Sequence, residues 1–252
     1  MEDDKSSLDG LIRRALQAQI DLGLDEVIID RQWRPAPAGS PVAKAGDQIS
    51  PHADLFCEST AAVMAAEYGS LDDHRQAICN CQKCMLGKTR NKFVYGVGNP
   101  SADIMFVGEA PGADEDRQGE PFVGRAGQLL DKILAAMALD RSQVYIANIL
   151  KCRPPGNRDP QPDEMELCFP YLREQVALIR PKIICGLGRI AGQALLQTKT
   201  PLGKLRKLWH EYEGVPLIVT YHPAALLRFP AYKRDTWEDM QMLLARYKEM
   251  IG

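Results

Sequence analysis

The chain of 252 residues is defined first by what it does not contain. No apolar run approaches about 18 residues, which excludes a helical membrane span. No internal repeat is present, so the length reads as one large domain with an appendage rather than an array. The formal charge is only −2, so bulk charge points to no class of partner. The opening Met1-Glu2-Asp3-Asp4 is acidic and lacks the apolar core of a secretory signal, so the expected location is the cytoplasm. In that compartment seven cysteines point to metal or redox chemistry rather than to disulfides.

Charge becomes informative once the chain is divided. Residues 1–72 carry 6 Lys and Arg against 13 Asp and Glu, and residues 73–252 carry 25 against 20. An acidic front and a mildly basic body suit a body that meets an anion such as nucleic acid, although so small an excess is also ordinary for its length. Residues 6–22 have the apolar periodicity of an amphipathic helix through Leu8, Leu11, Ile12, Ala15, Leu16 and Ile20. Residues 31–60, with Pro35-Ala36-Pro37-Ala38-Gly39-Ser40-Pro41, have the composition of a partly disordered linker. Residues 59–79 are predicted helical. The expected division is therefore 1–72 as an acidic N-terminal helical and linker extension, and 73–252 as the main folded domain.

From about residue 72 strands and helices alternate. Strands are predicted at 103–108, 144–149, 182–187 and 216–220, and helices at 125–138, 163–179, 188–196 and 235–250, with Asp163 capping the second helix. This pattern predicts an α/β fold with a largely parallel central sheet and helices on both faces. In such sheets chemistry collects at the carboxyl ends of the strands. The most telling segment lies there: Gly108-Glu109-Ala110-Pro111-Gly112, continuing to Pro121-Phe122-Val123-Gly124-Arg125-Ala126-Gly127. It carries a carboxylate and an aromatic on a loop between a buried strand and a helix.

Cysteines form the second signal. Cys81-Gln82-Lys83-Cys84 is a C-x2-C pair, and Cys152 and Cys168 follow downstream. Four thiolates can close a zinc site or hold an iron–sulfur cluster, and spacing alone does not choose between them. Cys79 is near enough to compete with Cys81. Cys185, inside Ile183-Ile184-Cys185, reads as a core thiol. The loop after Cys152 carries Arg153 and Arg158 among prolines, which suits contact with DNA phosphates.

Six segments in order then resemble the type 4 uracil-DNA glycosylases, the iron–sulfur branch of that superfamily. They are Cys81-x2-Cys84 with Leu86-Gly87-Lys88-Thr89-Arg90, Gly96-Val97-Gly98-Asn99-Pro100, the two loop motifs above, Asn148-Ile149-Leu150-Lys151-Cys152-Arg153-Pro154-Pro155, and His222-Pro223-Ala224-Ala225-Leu226-Leu227-Arg228. The similarity covers roughly residues 75–250. It implies a [4Fe-4S] cluster on Cys81, Cys84, Cys152 and Cys168. It implies a base pocket with Glu109, Ala110 and Pro111 facing uracil, Phe122 stacking on it, Asn148 reading the pyrimidine edge and His222 near O2. Glu109 and His222 are the catalytic candidates, although Glu109 also reads as a loop carboxylate that only braces amides. Phe122 and Asn148 likewise have structural readings, as core and as a strand-end turn. Leu227 and Arg228 match the loop that enters the duplex.

The implied activity is hydrolysis of the N-glycosidic bond of a flipped uracil, leaving an abasic site for base excision repair. The implied partner is uracil-containing DNA, double- and single-stranded, met by a monomer in the bacterial cytoplasm and nucleoid. The acidic extension is a candidate docking segment for a protein partner. Two other readings compete: a protein that traps uracil-DNA covalently, and a zinc-stabilised DNA-interaction module. The first is disfavoured because Arg153 to Asp163 contains no histidine.

Overall fold

The computed structural model describes Arg13, residues 16–20, Gly23 and residues 66–251. Most of the helix expected over 6–22, all of the linker expected over 31–60 and the first part of the helix expected over 59–79 lie outside these residues. Within them, residues 16–20 are helical and Ala18 is buried against the body's apolar core.

Six strands form one sheet: β1 (Val97–Gly98), β2 (Ile104–Gly108), β3 (Tyr145–Asn148), β4 (Ile183–Leu187), β5 (His210–Tyr212) and β6 (Val215–Thr220). Their order is β1-β3-β2-β4-β6-β5. The inner four run parallel, and the two edge strands pair antiparallel. Every residue of β2, β3 and β4 is buried, as expected of parallel strands covered on both faces. The four predicted strands therefore hold to within a residue at each end. The short edge strands were not foreseen, because two or three residues carry no readable periodicity.

The helices are α1 (Leu71–Ile78), α2 (Leu86–Thr89), α3 (Ala113–Gln118), α4 (Arg125–Ala136), α5 (Pro162–Ile179), α6 (Arg189–Leu195), α7 (Leu202–Leu205), α8 (Pro223–Arg228) and α9 (Tyr232–Ile251). Alternate strand residues feed two cores. Met105, Val107, Ala147, Ile184 and Val219 pack with Leu172 and Val176 of α5 and Leu195 of α6. Ile104, Phe106, Ile146, Cys185 and Ile218 pack with Leu130 and Ile133 of α4 and Met240 and Leu243 of α9. Cys185 is thus a core thiol, and burial pushes its ionisation above the ordinary range.

Two sequence expectations require correction. Of the helix expected over 59–79, the described residues 66–70 are not helical and a helix runs from Leu71 to Ile78, where Ser70 takes an extended conformation and its hydroxyl accepts the Asp73 amide at 3.1 Å. The helix over 163–179 is capped by Gln161, not Asp163. Pro162 is already its first residue, and the Glu164 carboxylate accepts the Gln161 amide at 2.9 Å.

The chain crosses from β2 to β3 through α4 on one face and from β3 to β4 through α5 on the other. Strand order reverses at β2 and β4, and in open α/β sheets ligands bind in the crevice outside the carboxyl ends at such a switch point. Register places Gly108 opposite Asn148 and Leu187 opposite Thr220, so the loops after β2, β3, β4 and β6 all leave at that end. Among the described residues no helix is long and apolar enough to cross a membrane.

Candidate active site

The crevice is assembled around a missing side chain. A Cβ on Gly108 would lie 2.4 Å from Asn148 Oδ1 and 2.7 Å from Phe122 Cζ, so only glycine lets the amide and the ring meet there. Asn148 is 2% exposed, and its Oδ1 has no hydrogen-bond partner among the described residues. An orphaned buried acceptor costs about 1–3 kcal/mol. Tyr212 OH and Asp239 Oδ1 are likewise unpartnered, but of the three only Asn148 Oδ1 lies at the carboxyl end of the sheet beside Phe122, where a ligand can supply the donor.

Phe122 is buried with φ of 55°, and its ring stacks against that of His222 at 5.4 Å and 29°. Two rings that close leave no space for a third between them, which needs roughly 7 Å at about 3.5 Å per contact. Glu115 braces the loop: Oε1 accepts the Val123 and Gly124 amides at 2.9 and 3.0 Å, and Oε2 accepts that of Gly112 at 3.1 Å. Asp116, 2% exposed, accepts the Asn91 amide at 2.9 Å, whereas Asp114 pairs with Arg117 at the surface.

His222 is the N-cap of α8, and its Nδ1 accepts the Ala224 amide at 3.1 Å. Burial, and then the Arg228 charge, pull its pKa down to about 4 against a weaker opposing pull from Glu115. At neutral pH the ring is uncharged. With Nδ1 committed as an acceptor, the remaining proton resides on Nε2, which can donate. The close approach of β4's loop to this residue needs Gly188, at φ of 95°, where a Cβ would lie 2.9 Å from His222 Cβ.

Glu109 follows β2, half-buried at the crevice. Burial first and the Asp159 carboxylate second push its pKa up to about 7, with Arg189 pulling the other way. Arg189 and Asp159 pair at 2.7 Å, bridging the start of α6 and the loop after Cys152. Of its companions on the motif, Ala110 is half-buried and Pro111 buried.

The rim is more selective than the sequence implied. Leu226 is 1% exposed and belongs to the core, while Leu227 is 46% exposed and Arg228 is exposed beside it. Phe229, 57% exposed, extends the same edge and was not anticipated. Its ring leans on Tyr232 at 5.7 Å, which stacks on Tyr221 at 4.2 Å. Arg153 donates to Asn157 Oδ1 at 2.8 Å and stays half-exposed. Arg158 is committed to the buried Glu164 carboxylate at 2.8 and 2.5 Å, bracing its loop against α5.

The four cysteines gather in one core: Cys152 and Cys168 are buried, and Cys81 and Cys84 are half-buried against them. Three of the four thiols have a donor nearby. Tyr171 OH donates to Cys81 Sγ at 3.1 Å, Arg90 Nη1 to Cys152 Sγ at 3.2 Å, and the Lys151 amide to Cys168 Sγ at 3.3 Å. Such donors stabilise thiolates held by a metal. Burial pushes Cys168 up to about 12 and raises Cys152. Cys79 turns away, donating to the Gln76 carbonyl at 3.5 Å. Among the described residues no three His, Cys, Asp or Glu converge tightly enough for a single ion. Lys151, which the sequence reading passed over, is fully buried. Its ammonium donates to the Asn148 carbonyl at 2.7 Å and to Gln175 Oε1 at 2.6 Å. A lysine inside Ile149-Leu150-Lys151-Cys152 was the available signal.

The switch point of this α/β sheet thus brings together an unpartnered carboxamide, an aromatic ring, an imidazole and a carboxylate, a set of groups of the kind an enzyme site uses. The chain belongs to the uracil DNA glycosylase superfamily, whose family model matches residues 95–241, more than half of its length. It is 47% identical over 182 residues to a type-4 uracil-DNA glycosylase of Archaeoglobus fulgidus, covering 69% of this chain and 92% of that one. A type-4 uracil-DNA glycosylase of Saccharolobus solfataricus is 44% identical over 182 residues, 68% of this chain and 84% of its own. A type-5 uracil-DNA glycosylase of Pyrobaculum aerophilum is 33% identical over 149 residues, 51% of this chain and 64% of its own.

Proposed function

We propose that this chain is a uracil-DNA glycosylase of the type-4 kind, which hydrolyses the N-glycosidic bond of a flipped uracil and leaves an abasic site. The observation that carries the reading is the orphaned Asn148 Oδ1, buried beside Phe122 and the neutral His222. Uracil offers adjacent N3–H and O4, which a carboxamide matches with its acceptor and its donor. Cytosine presents the reverse pattern and leaves both ends unpaired. Phe122 replaces the stacking lost on flipping, about 1–3 kcal/mol per base. Uracil takes a free face or edge of the Phe122–His222 pair, since it does not fit between them.

Bond cleavage moves negative charge onto uracil and positive charge onto the deoxyribose. His222 Nε2–H donates to O2 as that charge develops, and being neutral it has lost no solvation to a charged state beforehand. Glu109, when ionised, faces the sugar cation or orients water. The exposed Leu227, Arg228 and Phe229 meet the duplex at the rim, and Arg153 meets a phosphate.

The cysteines fit an iron–sulfur cluster in chemistry, in burial and in their three sulfur-directed donors. Cys81, Cys84, Cys152 and Cys168 would hold a [4Fe-4S] cluster, a group larger than a single ion. When bound, it supplies cross-links that tie α5 and the segment of Cys81 and Cys84 to the strand end carrying Asn148. Residues 73–252 are the catalytic unit, working on DNA in the cytoplasm, and the acidic residues 1–72 are an appendage to it.

The test is release of free uracil from duplex and single-stranded oligonucleotides carrying U, T, hypoxanthine or xanthine. Release from U, lost in Asn148→Ala and His222→Ala, is the expected result. Undiminished release in both variants refutes the site.

A further inference from the structure

The stacking ring sits on a backbone that its surroundings must hold. Phe122 has φ of 55°, the left-handed region that bulky residues rarely occupy. Glu115 holds the two amides that follow it. Gly127 of α4 lies so close that a Cβ there would sit 1.7 Å from the Phe122 carbonyl oxygen. The third contact comes from a side chain that meets the site only through its backbone. Arg141, in the loop between α4 and β3, donates through Nη1 to the Pro121 carbonyl at 3.1 Å and through Nη2 to the Phe122 carbonyl. Its Nε is held by Asp131 Oδ1 at 2.6 Å.

We propose that Arg141 is a positioning residue for uracil recognition: its guanidinium clamps two consecutive carbonyls and so fixes the plane of the Phe122 ring. The inference rests on the reading of Phe122 as the stacking platform. The chemistry calls for arginine. A planar fork offers donors to both carbonyls while a third N–H reaches Asp131, whereas a lysine ammonium offers one compact charge. Without the clamp the two carbonyls lose a charge-assisted partner, and Pro121-Phe122 is free to relax toward ordinary φ. The ring then meets uracil at the wrong angle. Stacking is made in the bound state as well as in the transition state, so the loss falls on KM rather than kcat.

The experiment measures kcat, KM and inhibition by free uracil for the wild type, Arg141→Met, Arg141→Lys, Asp131→Asn, Phe122→Ala and the Phe122→Ala/Arg141→Met double variant. Arg141→Met is expected to raise KM and the inhibition constant for uracil about 10-fold, with kcat within about threefold. Arg141→Lys recovers part of the loss. Added guanidinium recovers part of it in Arg141→Met, since the site is reached from solvent: Arg141 is 28% exposed. Asp131→Asn, which leaves the clamp present but less oriented, costs about threefold and decides the matter if Arg141→Met does not fold. In the Phe122→Ala background Arg141→Met adds less than about twofold, because residues acting as one unit are not additive.

Unchanged KM and uracil inhibition in Arg141→Met and Asp131→Asn overturn the proposal. So does a full multiplicative loss in the double variant, which assigns Arg141 to general stability. If Phe122→Ala alone leaves KM and uracil inhibition unchanged, the stacking reading falls and takes the clamp with it. If Phe122→Ala weakens both and Arg141→Met does not, only the clamp falls.

Discussion

Glu109 should impose a pH limb on this enzyme at an unusual place for a carboxylate. Its pKa is raised to about 7, first by burial and then by Asp159, with Arg189 opposing. If its ionised form serves the sugar cation or the water, kcat/KM falls about tenfold per pH unit below 7, reaching about one tenth of its plateau at pH 6 and one hundredth at pH 5. His222, pulled down to about 4, stays neutral through this range and adds no limb of its own. The assay is uracil release from an oligonucleotide under kcat/KM conditions between pH 5 and 9. Glu109→Gln should give a low, flat profile. Asp159→Asn removes the like charge and frees Arg189, so it should shift the limb below 7. Arg189→Met leaves Asp159 unpaired and should shift it above 7. Stability provides an independent check of sign. A carboxyl whose folded pKa exceeds its unfolded value stabilises fully below about 4.5, and that contribution is lost as pH rises through about 7. Glu109→Gln should therefore raise Tm at pH 8 and alter it little at pH 4.5. A wild-type limb near 4.5, or a limb at 7 that persists in Glu109→Gln, refutes the reasoning.

Three further outcomes follow from the site's geometry. Asn148→Ala should lower kcat/KM at least about 100-fold, yet the native side chain's Oδ1 is already unpartnered, so calorimetry should show less destabilisation than for a satisfied buried amide. Gly108→Ala places a Cβ 2.4 Å from Asn148 Oδ1 and 2.7 Å from Phe122. It should abolish inhibition by free uracil while circular dichroism retains the α/β spectrum. On the proposed cluster, Cys168→Ser should lower the iron bound per chain and lower Tm, and unchanged iron content in that variant would remove Cys168 from the ligand set.

Much of this was legible along the chain because the signals are local. The buried strand Ile104–Gly108 declared itself by continuous apolar residues, and the helix from Arg125 by its period. The motif residues Glu109, Phe122, Asn148 and His222 were each marked by a Gly, Pro or strand-end context, and the fold delivers all four to one end of the sheet. Legibility failed where the partner is distant in sequence. The ion pair of Arg158 with Glu164 was not legible, because nothing in the sequence says that the two side chains meet. Leu226 and Leu227 are indistinguishable as letters, but one is core and the other rim, because α8 turns its buried face toward α4 and α9. Nothing local distinguishes Arg141 from any other surface arginine.

The sequence by itself determined the parallel α/β scaffold, the family and the inventory of chemistry: four cysteines, a carboxylate, a ring, an amide and an imidazole. These depend on residue type and on short spacings, which the chain states directly. Tertiary structure alone decided how those groups behave. Burial raises Glu109 and lowers His222, the Ala224 amide sets the proton on Nε2, Gly108 lets Asn148 meet Phe122, and Arg141 reaches the Phe122 carbonyl from 19 residues away. Desolvation, tautomer and approach are properties of what surrounds a group, and those surroundings exist only once distant segments have packed.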